Sequence, residues 1–168
     1  SIKFAINTYV NLYNNEYDVY LQGSYGNDTN IRGDSDVDIV CQYSKNLTYS
    51  IDEWNSFRNK IVIALKKHYN TSMVDDNANK SVKIIKNSGR LSADIVIALT
   101  YHNSKITETG ILFFTLQKQR IINFPKVHLQ NGIDKMKQTD NRYKQMVRIF
   151  KNARSYLVDK NILSKNVA

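Results

Sequence analysis

The 168-residue sequence is sparing with the residues that punctuate or cross-link a chain: one proline, six glycines and one cysteine, Cys41. A lone cysteine excludes an internal disulfide and suits a reducing cytoplasm. The Asn-x-Ser/Thr sequons at Asn27, Asn46 and Asn70 then carry little meaning. No apolar run reaches the length needed to span a bilayer, so no membrane partner is expected. The opening stretch SIKFAINTYVNLY is amphipathic, and Asn7 and Thr8 interrupt any apolar core of a secretion signal. Neither GxGxxG nor GxxxxGK[ST] occurs, which removes the usual glycine-rich nucleotide signatures. No internal repeat or low-complexity tract is present. With 42% hydrophobic and 23% charged residues, the composition is that of a soluble globular protein with one good core.

The charge is unevenly placed. Residues 1–116 hold 12 Lys/Arg against 12 Asp/Glu, whereas residues 117–168 hold 12 against 3. The whole formal excess of +9 therefore lies in the last third, which favours a polyanionic ligand met by that segment. A solvated basic surface is the plainer explanation of the same numbers.

Apolar spacing predicts the elements. Ile2, Ala5, Ile6, Tyr9, Leu12 and Tyr13 recur at helical intervals over residues 1–15, and Trp54, Phe57, Ile61, Ala64 and Leu65 do so over 51–69. Strands are expected at 17–22, ended by Gly23, and at 36–43. The runs SVKIIK and LSADIVIAL flank NSGR, the pattern of a hairpin or tight turn, and GILFFTL and RIINF pair across QKQ. After Pro125, KVHLQNG reads as a loop, followed by a helix over roughly 139–159. The expected class is α+β, a mixed sheet flanked by helices over 1–125, followed by a basic helical segment over 126–168.

The stretch LQGSYGNDTNIRGDSDVDIV (21–40) is odd for a strand mouth, because Asp34, Asp36 and Asp38 crowd within five positions. Residues two apart on a strand share a face, roughly 6.6 Å along the chain. Asp36 and Asp38 then aim together, with Val37, Ile39 and Cys41 opposite. Such carboxylates raise each other's pKa unless a cation lies between them, and a hard ion such as Mg²⁺ resolves the conflict. Asp94 is the one charge in LSADIVIAL. With its strand beside 36–43, three carboxylates converge and can hold two metals about 4 Å apart. An EF-hand loop fails from either Asp28 or Asp34, because the required Gly and Glu positions are wrong. Asp34 reads as a turn terminator. Just upstream, Gly23 and Ser24 follow a strand, with Gly26 and Thr29 close behind. Such a turn lets backbone amides approach a phosphate, with a hydroxyl in support. Downstream, Lys144, Arg148 and Lys151 fall on one helical face, and Tyr143, Met146, Val147, Phe150 and Leu157 form the apolar side.

At these residues the sequence resembles a known superfamily. GSYGNDTNIRGDSDVDIV is similar to the signature of the nucleotidyltransferases of DNA polymerase beta-like fold: Gly-Ser, a short helix, then Asp-x-Asp on the next strand. Asp94 matches the third family carboxylate. Together with IINFPKVHLQNGIDKMKQTDNRYKQMVRIFK, the likeness is greatest to the cyclic GMP-AMP synthase and oligoadenylate synthase branch, and within it to the bacterial CD-NTases of antiphage defence. It runs from about residue 17 to 157. The resemblance implies that Asp36, Asp38 and Asp94 are catalytic and hold two Mg²⁺ (or Mn²⁺) ions. It further implies that Gly23, Ser24 and Lys151 bind nucleotide at the triphosphate; Thr29, by its hydroxyl, and Lys144 and Arg148, by the face they share with Lys151, are expected to bind nucleotide with them. The implied activity joins nucleoside triphosphates into a cyclic oligonucleotide with release of pyrophosphate, under a regulatory protein or nucleic-acid activator. Family enzymes continue into a helical domain that closes the cleft, so the chain is expected to be a fragment with most of that domain absent. Rival readings are a transferase acting on RNA, protein or a small molecule, and a catalytically silent binding module. His68 is expected at the surface, His102 and His128 as loop or packing residues, and Cys41 as a buried hydrophobe.

Overall fold

Two hydrophobic periods, one of two residues and one of 3.6, alternate along the chain and sort it into a single sheet with helices against it. The structure is a computed structural model that describes residues 1–10, 16–31, 36–45, 48–103 and 106–164. Its strands are β1 (Tyr17–Leu21), β2 (Val37–Tyr43), β3 (Val74–Asp75), β4 (Val82–Ile84), β5 (Ala93–Asn103), β6 (Ile106–Phe114) and β7 (Arg120–Asn123). Its helices are α1 (Ile2–Tyr9), α2 (Gly23–Gly26), α3 (Ile51–Tyr69), α4 (Pro125–Gln138) and α5 (Tyr143–Asp159). The seven strands form one mixed sheet in the order β1-β2-β5-β4-β3, with β6 pairing the far half of β5 and β7 pairing β6. β2 runs parallel to β5, and the other pairings are antiparallel. The expected α+β class and the strand pair across 117–119 both stand.

α3 is set by its ends as well as by its stripe. Ser50 Oγ accepts from the Glu53 amide at 3.1 Å, while Glu53 Oε2 accepts from the amides of Thr48 and Tyr49 at 2.8 and 3.0 Å. The first bond satisfies a donor that the helix start leaves open, and the other two fix the chain that leads into it. Lys66, Lys67 and His68 then occupy the last turn, where the helix dipole favours positive charge. Trp54, Phe57, Ile61, Ala64 and Leu65 are all buried, as their spacing predicts. With Ile2, Ala5 and Ile6 of α1, most of them cover one side of the sheet over Cys41, Ile95 and Ile97. A second cluster joins Trp54 and Val40 to Leu99 and the run Ile111–Phe114. Helices thus cover the sheet centre and leave the ends of β2 and β5 accessible.

Several expectations are corrected. KVHLQNG is not a loop: Pro125 stands at the first turn of α4, where its missing amide costs nothing, and the helix runs through Asn131-Gly132. Gly132 is kept helical where α4 passes Asn27; a Cβ there would lie 3.7 Å from Asn27 Oδ1. The last helix begins at Tyr143, not 139, because Asp140 and Asn141 both take positive φ and break the chain between α4 and α5. Its expected apolar side is only partly packed: Val147 and Leu157 are half-buried, whereas Tyr143, Met146 and Phe150 are exposed. α1 ends at Tyr9, and Leu12, Tyr13, Asp34 and Asn46 lie outside the described residues. His68 is half-buried rather than open, ringed by Phe4, Tyr9 and Tyr69.

A polar chain crosses the sheet. Tyr20 Oη donates to Gln42 Oε1 at 2.9 Å, Gln42 Nε2 donates to Thr100 Oγ1 at 2.7 Å, and Ser44 Oγ lies 2.7 Å from the same hydroxyl. Gln42 and Thr100 are both buried. Thr100→Val keeps the shape and strands the Gln42 amide, so urea denaturation should show a loss of about 1–3 kcal/mol with unchanged m. An unaltered midpoint would mean that the network contributes nothing.

Candidate active site

Strand pairing builds the site. The parallel register of β2 and β5 sets Asp38 level with Asp94. Paired residues point to one face and bring their side chains within about 5 Å at Cβ. On the other edge of β2, the antiparallel register with β1 ends at Leu21 opposite Ile39, and the Gln22 amide then donates to Asp38 O at 2.9 Å. The chain turns here into α2, so Gly23 lies directly against the Asp38 side chain. Its φ is +60°, and a Cβ built there would stand 2.0 Å from Asp38 Oδ2. Only glycine permits both that φ and that approach.

Asp36 sits just before β2 and is held by two neighbours. Ser92 Oγ donates to Oδ1, and Lys83 Nζ of β4 donates to Oδ2 at 2.9 Å. The Ser92 hydrogen bond and then the Lys83 ammonium hold the Asp36 carboxyl below its ordinary range. Lys83 is raised in turn, first by its hydrogen bond to Asp36 and then by the charge of Asp94. Asp38 is shifted the other way. Burial pushes it up, the charges of Asp94 and Asp36 add to the rise, and Lys151 opposes it. Three carboxylates thus share one mouth of the sheet with their charge only partly balanced.

The donor set is all oxygen, which is the chemistry of a hard divalent cation. The glycine leaves open the approach to Asp38, and the raised Asp38 carboxyl marks charge that a cation would relieve. Among the described residues, no three Asp, Glu, His or Cys side chains are drawn together as a ready-made metal cage. Asp36 is engaged by Lys83 and Ser92. The three aspartates therefore fit a metal in kind and in charge, with Asp36 turned to partners within the chain.

The basic helix reaches the same mouth. Lys151 Nζ donates to Thr29 O at 3.0 Å, and Arg148 Nη1 donates to Asp28 O at 2.8 Å. These bonds tie α5 to the loop after α2. Thr29 is buried, with Oγ1 3.5 Å from Lys151 Nζ, so its hydroxyl faces the lysine. A cavity of 340 Å³ opens over Gly23, Gly26 and Asp38, walled by Asn123, Lys126 and His128. A second of 480 Å³ lies beside it, lined by Thr29, Lys135, Tyr143 and Lys144; Asn27 and His128 border both. His128 is thus a cleft residue on α4, not a loop or packing histidine, while His102 lies among the last residues of β5, exposed and not in a loop. Asn123, Lys126 and Lys83 were missed from the sequence. For Lys83 a signal existed: counting outward from the Asn87–Arg90 bridge of the NSGR turn brings Lys83 opposite Asp94.

With this geometry in hand, likeness to known proteins is informative. Residues 6–127 match the family described as nucleotidyltransferase domain, and residues 130–168 match the cGAS/DncV-like nucleotidyltransferase C-terminal helical domain. The chain is 38% identical to the cyclic UMP-AMP synthase of Rhodothermus marinus over 164 residues, 84% of this chain and 56% of that protein. It is 35% identical to the cyclic nucleotide synthase CdnE01 of Staphylococcus haemolyticus over 182 residues, 91% of this chain and 60% of that one. Among solved structures, the Elizabethkingia meningoseptica CdnE cyclic dinucleotide synthase with GTP and Apcpp superposes with a TM-score of 0.83 at 31% identity. That match covers 99% of this chain and 62% of that one. The chain thus spans less than two thirds of the length of these relatives. Its fold, its Gly-Ser/Asp-x-Asp element and both family matches agree: the chain belongs to the nucleotidyltransferase family, in the cGAS/DncV-like (CD-NTase) branch.

Proposed function

We propose that the protein is a Mg²⁺-dependent nucleotidyltransferase that joins nucleoside triphosphates into a cyclic oligonucleotide, releasing pyrophosphate. The observation that carries this is the level pairing of Asp38 with Asp94, with Asp36 beside them and Gly23 pressed against Asp38. The relatives' names, all of cyclic nucleotide synthases, point to the product class. In the transfer, an acceptor hydroxyl oxygen bonds to the α-phosphorus, the bond to pyrophosphate breaks, and the hydroxyl proton leaves to a carboxylate or water. Two divalent ions, when bound, would lower the hydroxyl pKa and neutralise the leaving pyrophosphate. The chain's part is to orient and to balance charge. Asp36, Asp38 and Asp94 would hold the ions, and the Gly23-Ser24 turn would bring backbone amides to the triphosphate. Lys144, Arg148 and Lys151 would meet its phosphates, a use for the C-terminal basic excess.

The domain division at 125/126 belongs to the same proposal, as do a cytoplasmic setting, antiphage signalling and control by a regulatory protein or nucleic acid. The lone buried Cys41 and the family branch support the setting and the role. No helix among the described residues is long and apolar enough to cross a membrane.

Product analysis tests the reading. Purified full-length protein with Mg²⁺ and the four α-labelled triphosphates should yield a phosphatase-resistant oligonucleotide. Asp38→Ala should lower its rate by at least about 10²-fold without unfolding the protein. Label appearing on protein or RNA instead would move the reading to a modifying transferase. Gly23→Ala should abolish product as well, because its Cβ displaces the Asp38 carboxylate that it meets. Full activity in that variant would contradict the close approach. Asp38's folded pKa lies above its unfolded one, so the metal-free native state holds the extra proton and loses stability as pH rises past the ordinary carboxylate range. Asp38→Asn should therefore raise the metal-free Tm at neutral pH and cancel much of the Tm rise that Mg²⁺ gives the wild type. A lower Tm in the variant would show the carboxylate to be stabilising.

A further inference from the structure

Four side chains, not three aspartates alone, compose the charged mouth. β4 pairs with β5 so that Lys83 stands opposite Asp94, and β5 pairs with β2 so that Asp94 stands opposite Asp38. Directly paired residues point to one face, so a row across three strands runs ammonium, carboxylate, carboxylate. Strand alternation fixes the lysine there: Val82 and Ile84 on either side are buried in the core, which turns Lys83 to the carboxylate face. From it, Nζ donates to Asp36 Oδ2 at 2.9 Å, while Ser92 Oγ donates to Oδ1. The chain itself occupies both oxygens of Asp36.

The two partners differ in what they permit. A hydroxyl can remain beside a carboxylate that binds a metal. An ammonium on the same oxygen as a dication repels it, and its own attraction to the carboxylate must first be lost. We infer that Lys83 is the resident cation of this site: it holds Asp36 in the metal-free protein and competes with a divalent ion for Oδ2, weakening metal binding until it is displaced. The bond suits a releasable hold. Both side chains are about two-fifths exposed, and ion pairs so placed are weak. The inference rests on the carboxylates being metal ligands. It goes beyond that reading by making Lys83 a positioning residue that sets the loading threshold, rather than a group that touches substrate.

Mn²⁺ titration of purified full-length protein, followed by the electron paramagnetic resonance of the free ion, tests this without recourse to activity. Lys83→Met should bind Mn²⁺ about three- to tenfold more tightly than wild type, and Lys83→Arg should stay within about twofold of it. The metal-free Tm of Lys83→Met should fall below wild type and recover further on Mn²⁺ addition, because its carboxylates lack their cation. Lys83→Gln serves as a second neutral variant, and circular dichroism confirms that each is folded. If wild type binds Mn²⁺ and the neutral variants bind it no more tightly, the competing role of Lys83 is overturned while the metal site stands. If none of the proteins binds Mn²⁺, the metal site falls and the inference with it.

Discussion

Everything at the site depends on the parallel pairing of β2 with β5, which sets Asp38 level with Asp94. A parallel pair of this kind is buried on both faces along most of its length and cannot shift register without moving a core residue out. Ile39, Cys41, Ile95 and Ile97 pack under α1 and α3, while Val40 and Ala98, of opposite parity along their strands, are buried on the other face. Hydrophobic burial therefore fixes the position of two like charges that would otherwise move apart. Burial first, and then the charges of Asp94 and Asp36, push the Asp38 carboxyl up.

The surroundings temper the repulsion on two sides. Lys83 approaches along the sheet from β4, and Lys151 approaches from α5 through the loop at Thr29. The two lysines differ in what holds them. Lys83 is carried by a strand and bonds a carboxylate directly, whereas Lys151 bonds a backbone carbonyl and influences Asp38 only through space. α5 itself is the least integrated element. Its polar face is tied to Asp28 and Thr29, but Met146, Ile149 and Phe150 remain exposed. Residues 130–168, which include this amphipathic helix, match the cGAS/DncV-like nucleotidyltransferase C-terminal helical domain.

The core and the acidic site were legible in the sequence because each follows a simple rule. The α3 stripe obeys the helical period, and β2 and β5 show a β-branched run broken by one or two aspartates. Asp94 stood out as a charge with no apolar excuse. What escaped was decided by contacts that no local pattern encodes. Asn131-Gly132 looks like a turn, yet α4 continues through it beside Asn27. Lys83 looks like the polar half of an alternating strand, and its importance appears only when the NSGR turn is used to count the register across to Asp94. The exposed side of α5 follows the helical period as well as α3 does, but periodicity says only which residues share a face, not what covers it. Gly23 was expected to admit a phosphate; the fold shows that it must also admit the Asp38 carboxylate.

On the proposed function, three aspartates brought together by strand pairing would hold divalent ions for nucleotidyl transfer. Anomalous diffraction from crystals grown with Mn²⁺ and a non-hydrolysable nucleoside triphosphate tests it most directly. Manganese peaks are expected within bonding distance of Asp36, Asp38 and Asp94, with the triphosphate over Gly23. A nucleotide bound in that cleft with no manganese at the aspartates would contradict it.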